Sequence, residues 1–237
     1  MAEWRVKLQG EIDDLRDLSQ LLTGAELNIV ENDDAFYLNS AAFEPITEAS
    51  DMRVQVQRHL DSINGAAKLQ FGSFAPVGIG GIARVDEHGK VTHYLFAEGV
   101  LFSRGRMGVA NLTVTTASGE VLPPPPTFIE AATAAANQHE VVADALRFFL
   151  DSNWVNLFKV YELIEEDLGG SKAIVTRFQG ITSAQIDRFT GSANNRNASG
   201  DGARHGHKKW PSPKKPMSLQ EAESFIRGLL DQWIRSK

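Results

Sequence analysis

Residues 4–38 read WRVKLQGEIDDLRDLSQLLTGAELNIVENDDAFYL, and the apolar pattern of this stretch decides the fold. It opens with apolar residues that alternate with polar ones, which is typical of a half-buried strand: Trp4, Val6 and Leu8. The apolar period then changes to that of a helix over residues 11–23. Two strands are predicted next, at 27–30 and 36–38, on either side of a turn rich in Asn and Asp.

The pattern continues outward with a helix at 50–69 and a strand at 77–85. The resulting order, β-α-β-β-α-β, is the element order of ferredoxin-like folds. Further hairpin strands are predicted at 91–97, 100–103 and 109–116. The sequence therefore predicts an N-terminal mixed α/β sheet domain.

The segment PVGIGGIARV contains three glycines and resembles a phosphate-binding loop only superficially: Gly78, Gly80 and Gly81. Such a loop leads from a strand into a helix whose N-terminus faces the anion. These glycines instead lead into a strand. We interpret them as strand glycines at a bulge or at a close approach of backbones.

Four consecutive prolines, 123–126, mark the predicted domain boundary, because a proline run is stiff and cannot continue a strand. After them the apolar spacing is helical almost throughout, with predicted helices at 128–150, 153–168, 172–179, 182–193 and from 218 onward. We therefore predict an α+β protein with an α+β domain at 1–122, a linker at 123–127 and an all-helical domain at 128–237.

Composition excludes several classes of protein. The chain of 237 residues contains no cysteine, which excludes disulfides, thiolate zinc sites and a cysteine nucleophile. It has no apolar run of about 18 residues, and its acidic first segment lacks the apolar centre of a signal peptide, so we expect a cytoplasmic protein without membrane contact. His88 and His93 flank a hairpin turn without a predictable common face, so we expect no metal site and no cofactor.

Charge is divided unevenly along the chain. Residues 1–170 hold 12 basic and 25 acidic side chains, whereas residues 171–237 hold 12 basic and 5 acidic ones. Such asymmetry indicates a polyanionic partner for the basic part, or else packing of the basic part on the acidic one.

A polar loop at 194–217 concentrates the basic charge, with six cations against the single acid Asp201. Lysines and arginines neutralise phosphates, and a tryptophan can stack on an unpaired base. The predicted nucleic-acid-binding residues are accordingly Lys208, Lys209, Trp210, Lys214 and Lys215.

The same loop contains an Arg-Asn pair followed by Arg-His-Gly, after a helix of a helical domain. In this respect residues 128–237 resemble HEPN domains, which are small helical bundles. Many of them are metal-independent ribonucleases or parts of toxin–antitoxin and phage-defence systems. The resemblance implies a homodimer and a catalytic set in which His205 moves a proton, Asn197 orients, and two arginines hold the phosphate: Arg196 and Arg204.

Two other functions fit the sequence. The protein is a non-catalytic module if the acidic domain binds a protein or a small ligand and the basic loop contacts a partner. Alternatively, residues 172–190 form a helix-turn-helix DNA binder with Gly180 in the turn, although the predicted recognition helix has one basic residue, Arg188.

Overall fold

A computed structural model describes residues 3–94, 114–115, 121–122, 125–204 and 213–237. The chain divides into two compact units, residues 1–134, here called the sheet unit, and residues 135–237, here called the helical unit. Strands lie in the first and helices dominate after it, which confirms the α+β class.

The sheet unit is built on a five-stranded antiparallel sheet with the strand order β2-β3-β1-β4-β5. Its strands are β1 (Glu3–Gln9), β2 (Leu27–Asn32), β3 (Ala35–Ser40), β4 (Gly78–Val85) and β5 (Val91–Tyr94). The predicted alternation in β1 is confirmed, because Val6 and Leu8 are buried between exposed neighbours.

Two helices complete the core of the sheet unit: α1 (Ile12–Leu21) and α2 (Ala49–Phe71). In α2, side chains at helical spacing are fully buried, namely Met52, Val56, Leu60 and Ile63. This stripe is the one that the sequence predicts. Its burial stabilises the fold by about 25 cal/mol for each Å² of apolar area removed from water.

The glycines of β4 lie where the strand pairs irregularly with β1. The register shifts between Lys7 and Leu8, since Lys7 pairs with Gly81 and Leu8 pairs with Ile79. Gly80 is the extra residue, and a Cβ there would lie 3.0 Å from the Leu8 backbone. The interpretation as a bulge with a close backbone approach is confirmed.

A short hairpin of β6 (Val114–Thr115) and β7 (Val121–Leu122) follows in the chain. The predicted strand at 109–116 is described only at its two hairpin residues. The predicted strand at 100–103 and the end of the one at 91–97 lie outside the described residues.

The next helix, α3 (Phe128–Gln138), begins within the sheet unit. Thr127 caps it and donates its hydroxyl proton to Leu21 O, while Glu130 accepts hydrogen bonds from the Thr127 and Thr23 backbone N–H groups. Burial raises the pKa of Glu130, but these hydrogen bonds outweigh it and hold that pKa below its usual range. The division into units falls after residue 134, inside α3, and a boundary at the prolines stays a prediction.

The predicted single helix over 128–150 is wrong in one respect. His139 is extended, with φ −130° and ψ 105°, and separates α3 from α4 (Glu140–Leu150). The buried face of α3 ends at Ala136. If the helix continued without a break, the next residues on that face would be near 139, 140 and 143. The apolar residues of α4 instead lie at another phase: Val142, Ala145, Leu146 and Phe149.

The remaining helices are α5 (Trp154–Leu168), α6 (Ser171–Arg177), α7 (Ser183–Ala193), α8 (Arg196–Ser199) and α9 (Leu219–Ile234). The capping boxes that begin α7 and α9 are confirmed at Thr182 and Ser218. The apolar stripe of α9 is confirmed from Ala222 to Ile234, whereas Leu219 is exposed.

A buried histidine makes the sheet unit sensitive to acid. His59 is 3% exposed, its Nε2 lies 3.2 Å from the Ser40 hydroxyl and from the Gln55 amide nitrogen, and burial lowers its pKa. The folded state therefore binds fewer protons than the unfolded one below the unfolded pKa of about 6.5, so the stability that the neutral ring contributes is lost as the pH falls.

We expect the urea concentration at the midpoint of unfolding to decrease as the pH is lowered from about 7.5 to about 5.5. We expect His59→Gln to make this decrease smaller. His93→Gln is the control, because His93 is exposed on β5. An equal pH dependence in wild type and His59→Gln would contradict the assignment.

Candidate nucleic-acid interface

The basic loop 194–217 is carried by α7, and a cluster of aromatic rings fixes the position of that helix. Phe189 of α7 is fully buried and lies 5.5–6.0 Å, centroid to centroid, from three rings on α5 and α9. These rings belong to Phe158, Tyr161 and Phe225. The C-terminal end of α7 is therefore held rigidly where the loop begins.

The first half of the loop ends at a fixed point, Arg204. Its backbone N–H donates to Ala193 O at 2.9 Å, which returns the chain to the end of α7. Its guanidinium donates to Glu162 Oε1 at 2.9 Å and lies 4.3 Å from the centroid of the Phe158 ring. Backbone and side chain of Arg204 thus have separate attachments.

The second half of the loop is attached to the last two turns of α7. The Met217 N–H donates to the Ser192 hydroxyl at 2.8 Å. The Arg188 guanidinium donates to the carbonyls of Lys215 and Pro216 and to Glu221 Oε1. One arginine therefore holds the loop next to the first turn of α9.

Before it reaches Arg204, the first half of the loop forms two short helical turns, α8 and a 3-10 turn at 200–202. Asn195 is 1% exposed and its side chain caps α8 by accepting from the Asn197 N–H. The Ser199 hydroxyl donates to Ser192 O at 2.8 Å. The sequence predicts only an irregular loop here, because these caps involve a buried contact that residue spacing does not show.

The described members of the predicted nucleic-acid-binding set are Lys214 and Lys215, and both are exposed. Lys208, Lys209 and Trp210 lie outside the described residues. The C-terminal end of the loop thus presents two cations to solvent next to the attachment made by Arg188 and Ser192.

Two of the four predicted catalytic residues, the arginines, are engaged in separate ion pairs. Arg196 donates to Asp201 Oδ1 at 2.6 Å, and Arg204 donates to Glu162. Asn197 contributes its backbone N–H to the cap of α8. The predicted proton carrier, His205, lies outside the described residues.

The hypothesis of a helix-turn-helix places α7 in the DNA groove, with Arg188 as its basic residue. The structure does have α6, a turn at Gly180 with φ 72°, and α7 in this order. However, the three hydrogen bonds of Arg188 hold residues 215–221. We therefore favour the loop over α7 as the binding element.

Two other ionisable groups of the helical unit serve packing. Burial and a 2.8 Å hydrogen bond to Glu165 raise the pKa of Tyr161, so its hydroxyl stays protonated. Burial raises the pKa of Asp167, but hydrogen bonds from Lys237 and Trp233 outweigh it and keep that pKa low.

Within the described ranges, no group of three or more His, Cys, Asp or Glu side chains is placed to hold a metal ion. Of the helices that the structure describes, none is long and apolar enough to cross a membrane.

Sequence reasoning missed the residues that hold the loop. Glu162 belongs to an acidic stretch on α5 that the sequence presents only as a solvated face, and its partner Arg204 is 42 residues away. Ser192 is a polar residue of α7 that no sequence pattern distinguishes from the others. Pairings of this range leave no periodic signal.

Comparisons with known proteins do not assign this arrangement to a family. The chain matches no protein-family model, and no significant match was found to a curated protein or to a solved structure.

The contact of Gly191 with Pro213 gives a direct test of the loop attachment. A Cβ at Gly191 would lie 2.8 Å from Pro213 Cγ, a distance that requires the proline or the helix to move. We expect Gly191→Ala to lower the free energy of unfolding by about 1–3 kcal/mol.

The matched control is Gly228→Ala in α9, where an added Cβ meets nothing within 4 Å. It should raise the free energy of unfolding by about 0.5–1 kcal/mol, because alanine is the better helix former. Urea unfolding followed by circular dichroism measures both variants. Equal stabilisation by the two substitutions would show that Pro213 does not pack on α7.

Proposed function

We propose that the helical unit binds single-stranded nucleic acid through the basic loop 194–217. The observation that carries the proposal is that both described ends of this loop are attached to the last turns of α7 while Lys214 and Lys215 stay exposed. Attachment at both ends reduces the conformational entropy that binding would otherwise cost.

The charge of the loop defines the class of ligand. Each lysine that contacts a phosphate releases condensed counterions, so the affinity depends on salt and not on base sequence. Trp210 would supply a ring on which an unpaired base stacks, and this favours single strands over duplexes. The proposed partner is therefore RNA or another nucleic acid in single-stranded form.

Binding is better supported than cleavage. Arg196 holds the Asp201 carboxylate, and eight residues separate Arg196 from His205, a longer spacing than the HEPN motif has. The HEPN-like ribonuclease, its homodimer and a cytoplasmic location stay predictions.

We also propose a ferredoxin-like core for the sheet unit, which the order β2-β3-β1-β4 and its antiparallel pairing support.

We expect Lys214→Gln/Lys215→Gln to weaken the binding of a labelled single-stranded RNA. The slope of log affinity against log salt should become less negative by about 0.7 for each lost phosphate contact. Fluorescence anisotropy over a salt series measures this slope. The matched control is Lys172→Gln/Arg177→Gln, which removes the same charge from the exposed surface of α6.

Equal slopes for the two double variants would show that net charge, rather than the loop, determines binding. No binding by wild type at low salt would contradict the proposed function altogether. In the same samples we expect the RNA to remain uncleaved. Cleavage that His205→Ala abolishes while binding survives would instead establish the ribonuclease.

A further inference from the structure

Glu162 and Arg204 form the only ion pair between the loop and α5 among the described residues. The Arg204 Nη2 and Glu162 Oε1 atoms are 2.9 Å apart, and both side chains are partly open to solvent, at 33% and 44% exposure. An arginine fork binds a carboxylate and a phosphate with the same geometry. A phosphate oxygen that reached Arg204 would therefore compete with the Glu162 carboxylate.

We propose that Arg204 is a phosphate contact of the nucleic-acid site and that Glu162 is its built-in competitor. This inference rests on the proposed function and assigns a particular residue to the control of its affinity. Binding of a strand replaces the Glu162 carboxylate on Arg204 by a phosphate oxygen. No bond other than hydrogen bonds changes.

The ring of Phe158 makes this exchange possible without loss of the arginine's position. The guanidinium lies 4.3 Å from the ring centroid, and the ring is itself stacked on Phe189 at 6.0 Å. The Arg204 backbone is held independently by Ala193 O. Release of Glu162 therefore leaves the guanidinium presented on the ring.

The surroundings on α5 also allow Glu162 to leave. Lys159 is exposed and precedes Glu162 by three residues, a spacing at which side chains on a helix meet. Its ammonium lies 4.6 Å from the centroid of the Phe148 ring in the structure. The displaced carboxylate thus has a second cation within one turn.

Glu162→Gln tests the proposal, because it removes the competing charge and keeps the size of the side chain. An exposed ion pair contributes little, so we expect the Kd for single-stranded RNA to fall about two- to fivefold. The matched control is Glu166→Gln, which removes the same charge from an exposed position one turn further along α5. It should change the Kd less than Glu162→Gln does.

A double-mutant cycle separates competition from general repulsion. In an Arg204→Gln background, Glu162→Gln should no longer tighten binding, since the phosphate contact is gone. Circular dichroism melts of all four proteins check that each is folded. If Arg204→Gln is not folded, Arg204→Met takes its place, because methionine keeps an unbranched stem that can pack on the Phe158 ring but carries no charge.

The outcomes are distinct for the two proposals. If wild type binds RNA and Glu162→Gln matches Glu166→Gln, the competitor role is wrong and the proposed function stands. Weaker binding by Glu162→Gln would show that Glu162 positions Arg204 instead, which also overturns the inference. If wild type does not bind, the proposed function itself fails.

Discussion

The stacking of Phe189 in the helical unit is the contact on which the arrangement of the loop depends. Its ring is fully buried and meets Phe158 and Tyr161 of α5 and Phe225 of α9. Aromatic pairs of this kind contribute about 0.5–1.5 kcal/mol each beyond the burial of their area. Their loss would weaken the packing that positions α7, and with it the two attachments of the loop.

Polar residues next to this aromatic cluster attach the basic loop to α7. Arg188 precedes Phe189 and holds the end of the loop, while Ser192 follows one turn later and accepts from Met217. On α5, Phe158 supports the Arg204 guanidinium and Glu162 neutralises it. The contacts from which the nucleic-acid site and its competitor are proposed thus lie on α5 and α7.

Patterns local in sequence predicted most of the fold. The alternation of β1, the capping boxes at Thr182 and Ser218, and the bulge glycines of β4 all depend on residues a few positions apart. The sequence did not predict the break at His139, because the segments on either side both favour helix and only the phase of burial separates them. The partners in the site, such as Glu162 for Arg204, are set by packing between distant helices, which no spacing rule contains.

A titration of the isotope-labelled full chain with a short single-stranded RNA, followed by amide chemical shifts, tests the central claim most directly. We expect saturable shifts at the amides of residues 194–204, 214, 215 and 217 and near Glu162, which salt reverses. Shifts confined to residues 3–94, or none at low salt, would contradict it.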